Sequence, residues 1–62
     1  MKKYQVVIED WEDEFEVLEE TNDIEKAIDF IKQVPIEVYK TIRIDELDEN
    51  DKLVKVIEIE VR

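Results

Sequence analysis

Residues 22–35, with the sequence NDIEKAIDFIKQVP, decide the fold because they predict one helix between two regions of strand-like alternation. Their apolar side chains recur at helical spacing and form one stripe over about three turns. The stripe consists of Ile24, Ala27, Ile28, Ile31 and Val34, with Phe30 widening it on one side. Asn22 is expected to cap the helix, and Glu25 to close a capping box with it. Pro35 ends the helix, since the residue before a proline avoids helical backbone angles.

Two strands are predicted before this helix, because apolar and polar residues alternate there with a period of two. In residues 3–9 the inward positions are Tyr4, Val6 and Ile8, and the outward ones are Gln5, Val7 and Glu9. In residues 14–20 the inward positions are Phe15 and Val17, and the outward ones are Glu14, Glu16 and Glu20. The connection, residues 10–13, holds no Gly or Asn, which disfavours a tight two-residue turn and predicts a longer loop.

Alternation returns after Pro35 and predicts two more strands. Over residues 36–47 one face carries Ile36, Val38, Ile42 and Ile44, and the other carries Tyr39, Thr41 and Arg43. Residues 48–51 form a turn in which Asn50 is best suited to a positive φ. The last strand is expected from Leu53 to Val61. Placing Leu47 opposite Lys52 sets Ile42 against Ile57, Lys40 against Ile59 and Val38 against Val61, with the apolar side chains on one face.

The pattern is therefore β-β-α-β-β, an α+β fold in which one helix packs on one face of a four-stranded sheet. Residues 1–62 form a single small acidic domain. The helical crossover implies that the second and third strands run in the same direction. One helix leaves the other face open. An open-face patch of Val7, Leu18, Tyr39, Val54 and Val56 is expected there, and a contiguous apolar patch usually marks an interface.

All of the net charge lies in one stretch, which we call the acidic segment. Between Glu9 and Glu25 there are ten acidic residues and no Lys or Arg, while the other 45 residues hold nine acids and nine bases. The segment thus accounts for the whole net charge of −10. Confined charge makes a directional field that attracts positively charged partners and speeds their approach.

The residue types that are absent exclude several classes of function. The chain has no His, Cys, Ser or Gly, which removes the usual general base, the common nucleophiles and every Gly-rich phosphate loop. We therefore expect no enzymatic activity, cofactor or metal site. The acids of the second turn lack the glycine and spacing of a calcium loop. The dispersed bases argue against direct nucleic-acid binding. Without a signal peptide or membrane span, a cytoplasmic location is the expectation.

The candidate partner-binding residues lie in the first predicted hairpin. They are Glu9, Asp10, Trp11, Glu12, Asp13, Glu14, Glu16 and Glu20. Carboxylates two residues apart on one strand face lie roughly 6.6–6.8 Å apart, about two phosphate steps of a nucleic-acid strand. Glu14 and Glu16, with Glu9 beside them, would form such a ladder. The alternative is that the acids only maintain solubility. Trp11 is either a binding anchor or a cover for the small core.

The sequence favours an acidic interaction module that binds a basic protein surface, with nucleic-acid mimicry as the sharpest form of that hypothesis. Small inhibitors that phages encode against host defences or polymerases are similar in size, acidity and low glycine content, although no motif carries this likeness. The rival is a structural module that forms homodimers or other assemblies through the open face. In that case its acidity serves only solubility.

Overall fold

The computed structural model describes residues 2–58 and shows an α+β fold of two β-hairpins joined by a helix. The strands are β1 (Lys3–Glu9), β2 (Phe15–Thr21), β3 (Thr41–Leu47) and β4 (Leu53–Glu58), with helix α1 (Ile24–Ile31) between the hairpins and a one-turn 3-10 helix at Ile36–Val38. The predicted extension of the last strand to Val61, and the pairings with Ile59 and Val61, lie outside the described residues.

The four strands form one sheet in the order β2-β1-β3-β4, with each neighbouring pair antiparallel. β2 and β3 therefore run in the same direction, as predicted, and they flank β1 on its two sides. The first hairpin loop, residues 10–14, lies at one end of the sheet beside the start of β3. The second hairpin loop, residues 48–52, lies at the opposite end beside the start of β1.

Helix α1 packs over β1 and β2, and the core lies between the helix and the sheet. Val6 and Ile44, which are opposite each other on β1 and β3, are completely buried. The buried cluster consists of Val6, Ile8, Ala27, Ile31, Ile42 and Ile44. A core of this size leaves little stability to lose, because few apolar side chains are removed from water.

The helix is shorter than predicted and begins one residue later. Asp23, not Asn22, is the N-cap, and its side chain accepts a hydrogen bond from the Glu25 backbone N–H at 2.9 Å. The helix ends at Ile31. Residues 32–34 form a turn before Pro35. Ile28 is 40% exposed, so it lies at the border of the apolar stripe.

The strand predicted to begin at Ile36 begins instead at Thr41, after the 3-10 helix. The Val38 backbone N–H donates to the Pro35 carbonyl at 3.0 Å. Proline has φ already set for the start of such a turn. Tyr39 lies in the connection to β3 and packs against the core, so it is not an open-face residue.

A β-bulge at Leu18 reverses part of the face assignment predicted for β2. Val6 is opposite Glu19 and Val7 is opposite Val17, so Leu18 is the extra residue. One extra residue moves every side chain beyond it to the other face. Phe15 and Val17 consequently lie on the open face, Glu16 shares the helix face with Ile8, and Leu18 packs against the core.

A second bulge, at Val54, changes the register predicted for the last hairpin. Glu46 is opposite Lys55 and Leu47 is opposite Leu53, so Val54 is the extra residue of β4. Leu47 pairs with Leu53 in place of the predicted Lys52, which shifts the register by one residue, and the bulge shifts it by one more. Ile57 is therefore opposite Ile44, two residues from the predicted partner Ile42. A shift of two residues preserves the face, and Ile57 still packs against the core.

Candidate functional site

The first hairpin loop is organised by Asp10. Its carboxylate oxygen Oδ1 accepts hydrogen bonds from the backbone N–H groups of Glu12 (2.8 Å) and Glu14 (3.0 Å). Its own backbone N–H donates to the Glu14 carbonyl at 2.9 Å. Asp13 has φ of 64°, a left-handed conformation that Asp tolerates better than most residues. The predicted longer loop is thus confirmed, with Asp taking the place of the glycine that the chain lacks.

Lys40, which lies just before β3, joins this loop to the sheet. Its Nζ lies 2.7 Å from Asp13 Oδ1 and 3.8 Å from Glu9 Oε2. Its backbone N–H donates to the Glu9 carbonyl at 2.8 Å. The hydrogen bond from Lys40 lowers the pKa of Asp13, and the same bond raises the pKa of Lys40. One base from outside the acidic segment therefore compensates two of its carboxylates.

Three carboxylates of the predicted site have no such compensation. Within residues 2–58, the side chains of Glu12, Glu14 and Glu16 accept no hydrogen bond and form no ion pair. Glu20, by contrast, lies 3.4 Å from Lys3 Nζ and accepts from Gln5 Nε2. Among the predicted site residues, the carboxylates without an ion pair therefore lie in the loop and the first residues of β2.

Trp11 occupies the second position of this loop and is 68% exposed. It therefore does not cover the core, and the expectation that it is a binding anchor stays a prediction. Phe15, at the base of the loop, is 57% exposed on the open face. The guanidinium carbon of Arg43 lies 5.0 Å from its ring centroid, and this guanidinium also binds both carboxylate oxygens of Asp45.

The structure brings together the loop residues of the predicted site but not the ladder of carboxylates. Glu9 is opposite Phe15 on the open face, whereas Glu16 is opposite Ile8 on the helix face. Glu14 precedes β2. The prediction that Glu9 lies beside Glu16 is wrong because the bulge at Leu18 reversed the faces at this end of β2. The common feature of the free carboxylates is that they follow Trp11 within five residues along the chain.

The five residues of the predicted open-face patch are also separated. Leu18 and Tyr39 pack against the core, and Val7 is only 5% exposed. Val54 and Val56 lie exposed on the edge strand β4. On the open face, Phe15 and Val17 lie at the corner near the first loop, and Leu53 and Val56 lie at the diagonally opposite corner. The Arg43–Asp45 ion pair lies between the two corners.

The second hairpin loop repeats the design of the first. Asp48 Oδ1 accepts from the backbone N–H groups of Asn50 (2.8 Å) and Lys52 (3.0 Å), as Asp10 does in its own loop. Asp51, not Asn50, takes the positive φ, at 62°. Lys3 Nζ lies 2.8 Å from Asp51 Oδ1.

The two hairpins are thereby related by an approximate two-fold axis. The shift along the chain that carries Asp10 onto Asp48 also carries Val6 onto Ile44, its cross-strand partner. Each loop is bound by a lysine from the other half of the sheet, Lys40 at Asp13 and Lys3 at Asp51. In the sequence, this repeat is visible as an Asp at the first and fourth positions of both loops. Because the chain is rich in acidic residues, so short a pattern was not recognised as a repeat.

Comparison with known proteins adds no relative: no family model, curated protein or solved structure matches the chain. Across the described part of the chain, none of the helices has the length and apolar character needed to cross a membrane. Residues 2–58 also contain no group of three or more acidic side chains arranged to hold a metal ion. The geometry of the first hairpin is the feature from which a function is inferred.

Proposed function

We propose that this protein is a non-catalytic interaction module that binds a basic surface of another protein through its first hairpin loop. The observation that carries the proposal is the exposure of Trp11 on a loop that is otherwise well ordered by hydrogen bonds. The chain has few large side chains, and Trp11, because it is exposed, contributes no stability to the core. Tryptophan at such a position is the residue most enriched among interface hot spots.

The charges around Trp11 support a basic partner. Glu12 and Glu14 lie in the same loop without an internal counter-ion, so a Lys or Arg from a partner would meet carboxylates that need not first be released. Exposed charges of this kind chiefly raise the association rate, and salt screens them. An arginine stacked on an aromatic ring already occurs within the molecule, at Arg43 and Phe15.

We further propose that the partner is a cytoplasmic nucleic-acid-binding protein. Its binding cleft is complementary to phosphates, and carboxylates fit the same charge pattern. Proteins that bind single strands also stack bases on aromatic side chains. The ring of Trp11 would take the position of such a base. Mimicry in this form depends on one aromatic ring among free carboxylates and does not require the regular ladder.

The test is competition with nucleic acid on a panel of purified DNA- and RNA-binding proteins. We expect at least one member to bind the wild type and to release it when its own nucleic acid is added. Trp11→Ala should weaken that binding by about tenfold or more, as loss of a hot spot does. Leu53→Ala is the matched control, since Leu53 is also exposed but lies beside the second hairpin loop at the opposite end of the sheet. Equal binding by Trp11→Ala and wild type would contradict the proposal.

A second candidate function, self-association through the open face, is favoured by its exposed apolar side chains. Phe15, Val17 and Val56 are each more than two-fifths exposed on that face. A face-to-face dimer would cover both corners, so Glu in place of either Val17 or Val56 should weaken it. Separation of the corners by Arg43 and Asp45 makes this surface less continuous than the loop site.

A further inference from the structure

The two edge strands of the sheet differ in how well they are protected against pairing with another strand. An exposed edge presents unpaired backbone N–H and C=O groups, and natural edges are blunted by charges and bulges. β2 carries three acidic residues, Glu16, Glu19 and Glu20, and no Lys or Arg, and its bulge lies in the middle of the strand. β4 also carries charges, but Lys55 and Glu58 are of opposite sign. Its bulge lies near its start, at Val54, and it pairs regularly with β3 from Lys55 to Glu58.

β4 is also the edge at which a second copy of this acidic chain is repelled least. Residues 52–58 carry Lys52, Lys55 and Glu58, so this segment is slightly positive within a protein of net charge −10. If two copies joined at β4, their β2 strands would form the outer edges of an eight-stranded sheet. At about 4.8 Å per strand these edges would lie roughly 34 Å apart, several times the Debye length of about 8 Å at physiological salt.

We propose that β4 pairs with β4 of a second copy, antiparallel about a two-fold axis at Val56. In a continuous sheet, opposite residues must share a face, which allows the axis to pass through Lys55, Val56 or Ile57. Centring on Lys55 would set two lysines opposite each other, which is unfavourable. Centring on Ile57 would set Glu58 against Val56.

The axis at Val56 covers the residue that gains most from a partner. Val56 is 41% exposed, whereas Ile57 is half-buried in the core of its own protomer. In this register Val56 lies opposite Val56 of the second copy, Lys55 opposite Ile57, and Val54 opposite Glu58. On the open face of the dimer, the two Val56 side chains then lie side by side across the junction.

One strand pair is a small interface, below the roughly 1,200 Å² of stable complexes, so the dimer is weak and depends on concentration. Added salt should strengthen it, because salt screens the repulsion between two acidic protomers. Binding of a basic partner at the first loop has the opposite salt dependence. The dimer does not rest on the proposed function, and either can fail without the other.

Single-cysteine variants map the pairing directly, since the natural chain contains no Cys. Directly opposite residues have Cβ atoms about 4.5–5.5 Å apart, close enough for a disulfide after small adjustments. We expect Val56→Cys to form a disulfide-linked dimer under mild oxidation. Val17→Cys, which changes a slightly more exposed valine on the other edge strand, should remain monomeric in the same mixture. Equal rates for the two variants would overturn the proposal.

Sedimentation equilibrium up to millimolar concentration gives the second measurement. Val56→Glu sets like charges opposite each other and should raise the dimer dissociation constant on the order of tenfold, while Val17→Glu should leave it unchanged. Equal weakening by both variants would indicate face-to-face association instead. A wild type that stays monomeric at millimolar concentration in high salt would also overturn the proposal. If Val56→Glu is unfolded by circular dichroism, the cysteine pair still decides.

Discussion

At the residue scale, two aspartates take the left-handed turn conformation that glycine takes in most proteins. Asp13 and Asp51 occupy the left-handed region, and each is bound there by a lysine from the other half of the sheet. An alanine at such a position destabilises the folded state by about 1 kcal/mol or more, because its side chain disfavours this backbone conformation. Asp51→Ala should therefore lower the free energy of unfolding by about that amount, and Asp51→Gly should lower it less. Urea denaturation measures the free energy of unfolding of both variants. Equal losses would show that the left-handed backbone conformation at residue 51 is not the cause.

The ion pair between Lys40 and Asp13 makes a stability contribution with a defined pH window. The lysine lowers the pKa of Asp13, so this contribution is present above the ordinary carboxyl pKa of about 4 and disappears as pH falls through the lowered value. At the alkaline end the pKa of Lys40 is raised, so the contribution persists past about pH 10 and disappears as pH rises through that raised value.

Lys40→Gln should accordingly lower the urea midpoint at pH 7 relative to wild type, and the difference should shrink at pH 2.5. Lys26→Gln is the matched control, because it makes the same change of charge on the exposed surface of the helix. Because Lys26 forms no ion pair within residues 2–58, its difference from wild type at pH 7 is expected to be smaller than that of Lys40→Gln. A Lys40→Gln deficit that is as large at pH 2.5 as at pH 7 would show that the ion pair is not its cause.

At the scale of elements, the helix between the hairpins carries most of the predicted organisation. Ile28→Pro should unfold the domain, because proline removes a helix hydrogen bond and clashes with the preceding turn, at a cost of about 3 kcal/mol or more. Since Ile28 is partly exposed, Ile28→Ala should be much milder. Circular dichroism and thermal melting compare the two variants. A folded Ile28→Pro would be inconsistent with the helix at Ile24–Ile31.

Periodicity was sufficient to predict the type and order of these elements, because it reports which side chains must be buried together. It could not place Leu18 or Val54 as bulges, since an extra residue interrupts alternation without a distinctive side chain. The same limit applied to Tyr39, whose alternating neighbours fit a 3-10 turn followed by a short connection as well as a strand. The exposure of Trp11 depended on the loop geometry set by Asp10, which composition does not encode.

At the scale of the whole molecule, the net charge of −10 comes from the acidic segment, which includes the first hairpin loop and all of β2. Lys40 compensates part of the first loop, and Lys3 binds Glu20 and the second loop. Among the described residues, the carboxylates near Trp11 that have no ion pair lie within the first hairpin loop and the start of β2. Neutralising the same number of carboxylates near Trp11 or far from it distinguishes two explanations of binding. If local charge determines the affinity for a basic partner, only the first change weakens binding; if total charge determines it, both changes weaken binding equally.

The most direct test of the proposed site is therefore a titration of an oligo-arginine peptide followed by the fluorescence of Trp11, the only tryptophan. One variant carries Glu12→Gln, Glu14→Gln and Glu16→Gln. The other carries Glu25→Gln, Asp29→Asn and Glu49→Gln, on the helix and in the second hairpin loop, and has the same net charge. We expect the first to lose about tenfold or more in affinity and the second to stay within about twofold, as expected for distant screened charges. Equal losses in the two variants would contradict a localised binding site at the first hairpin.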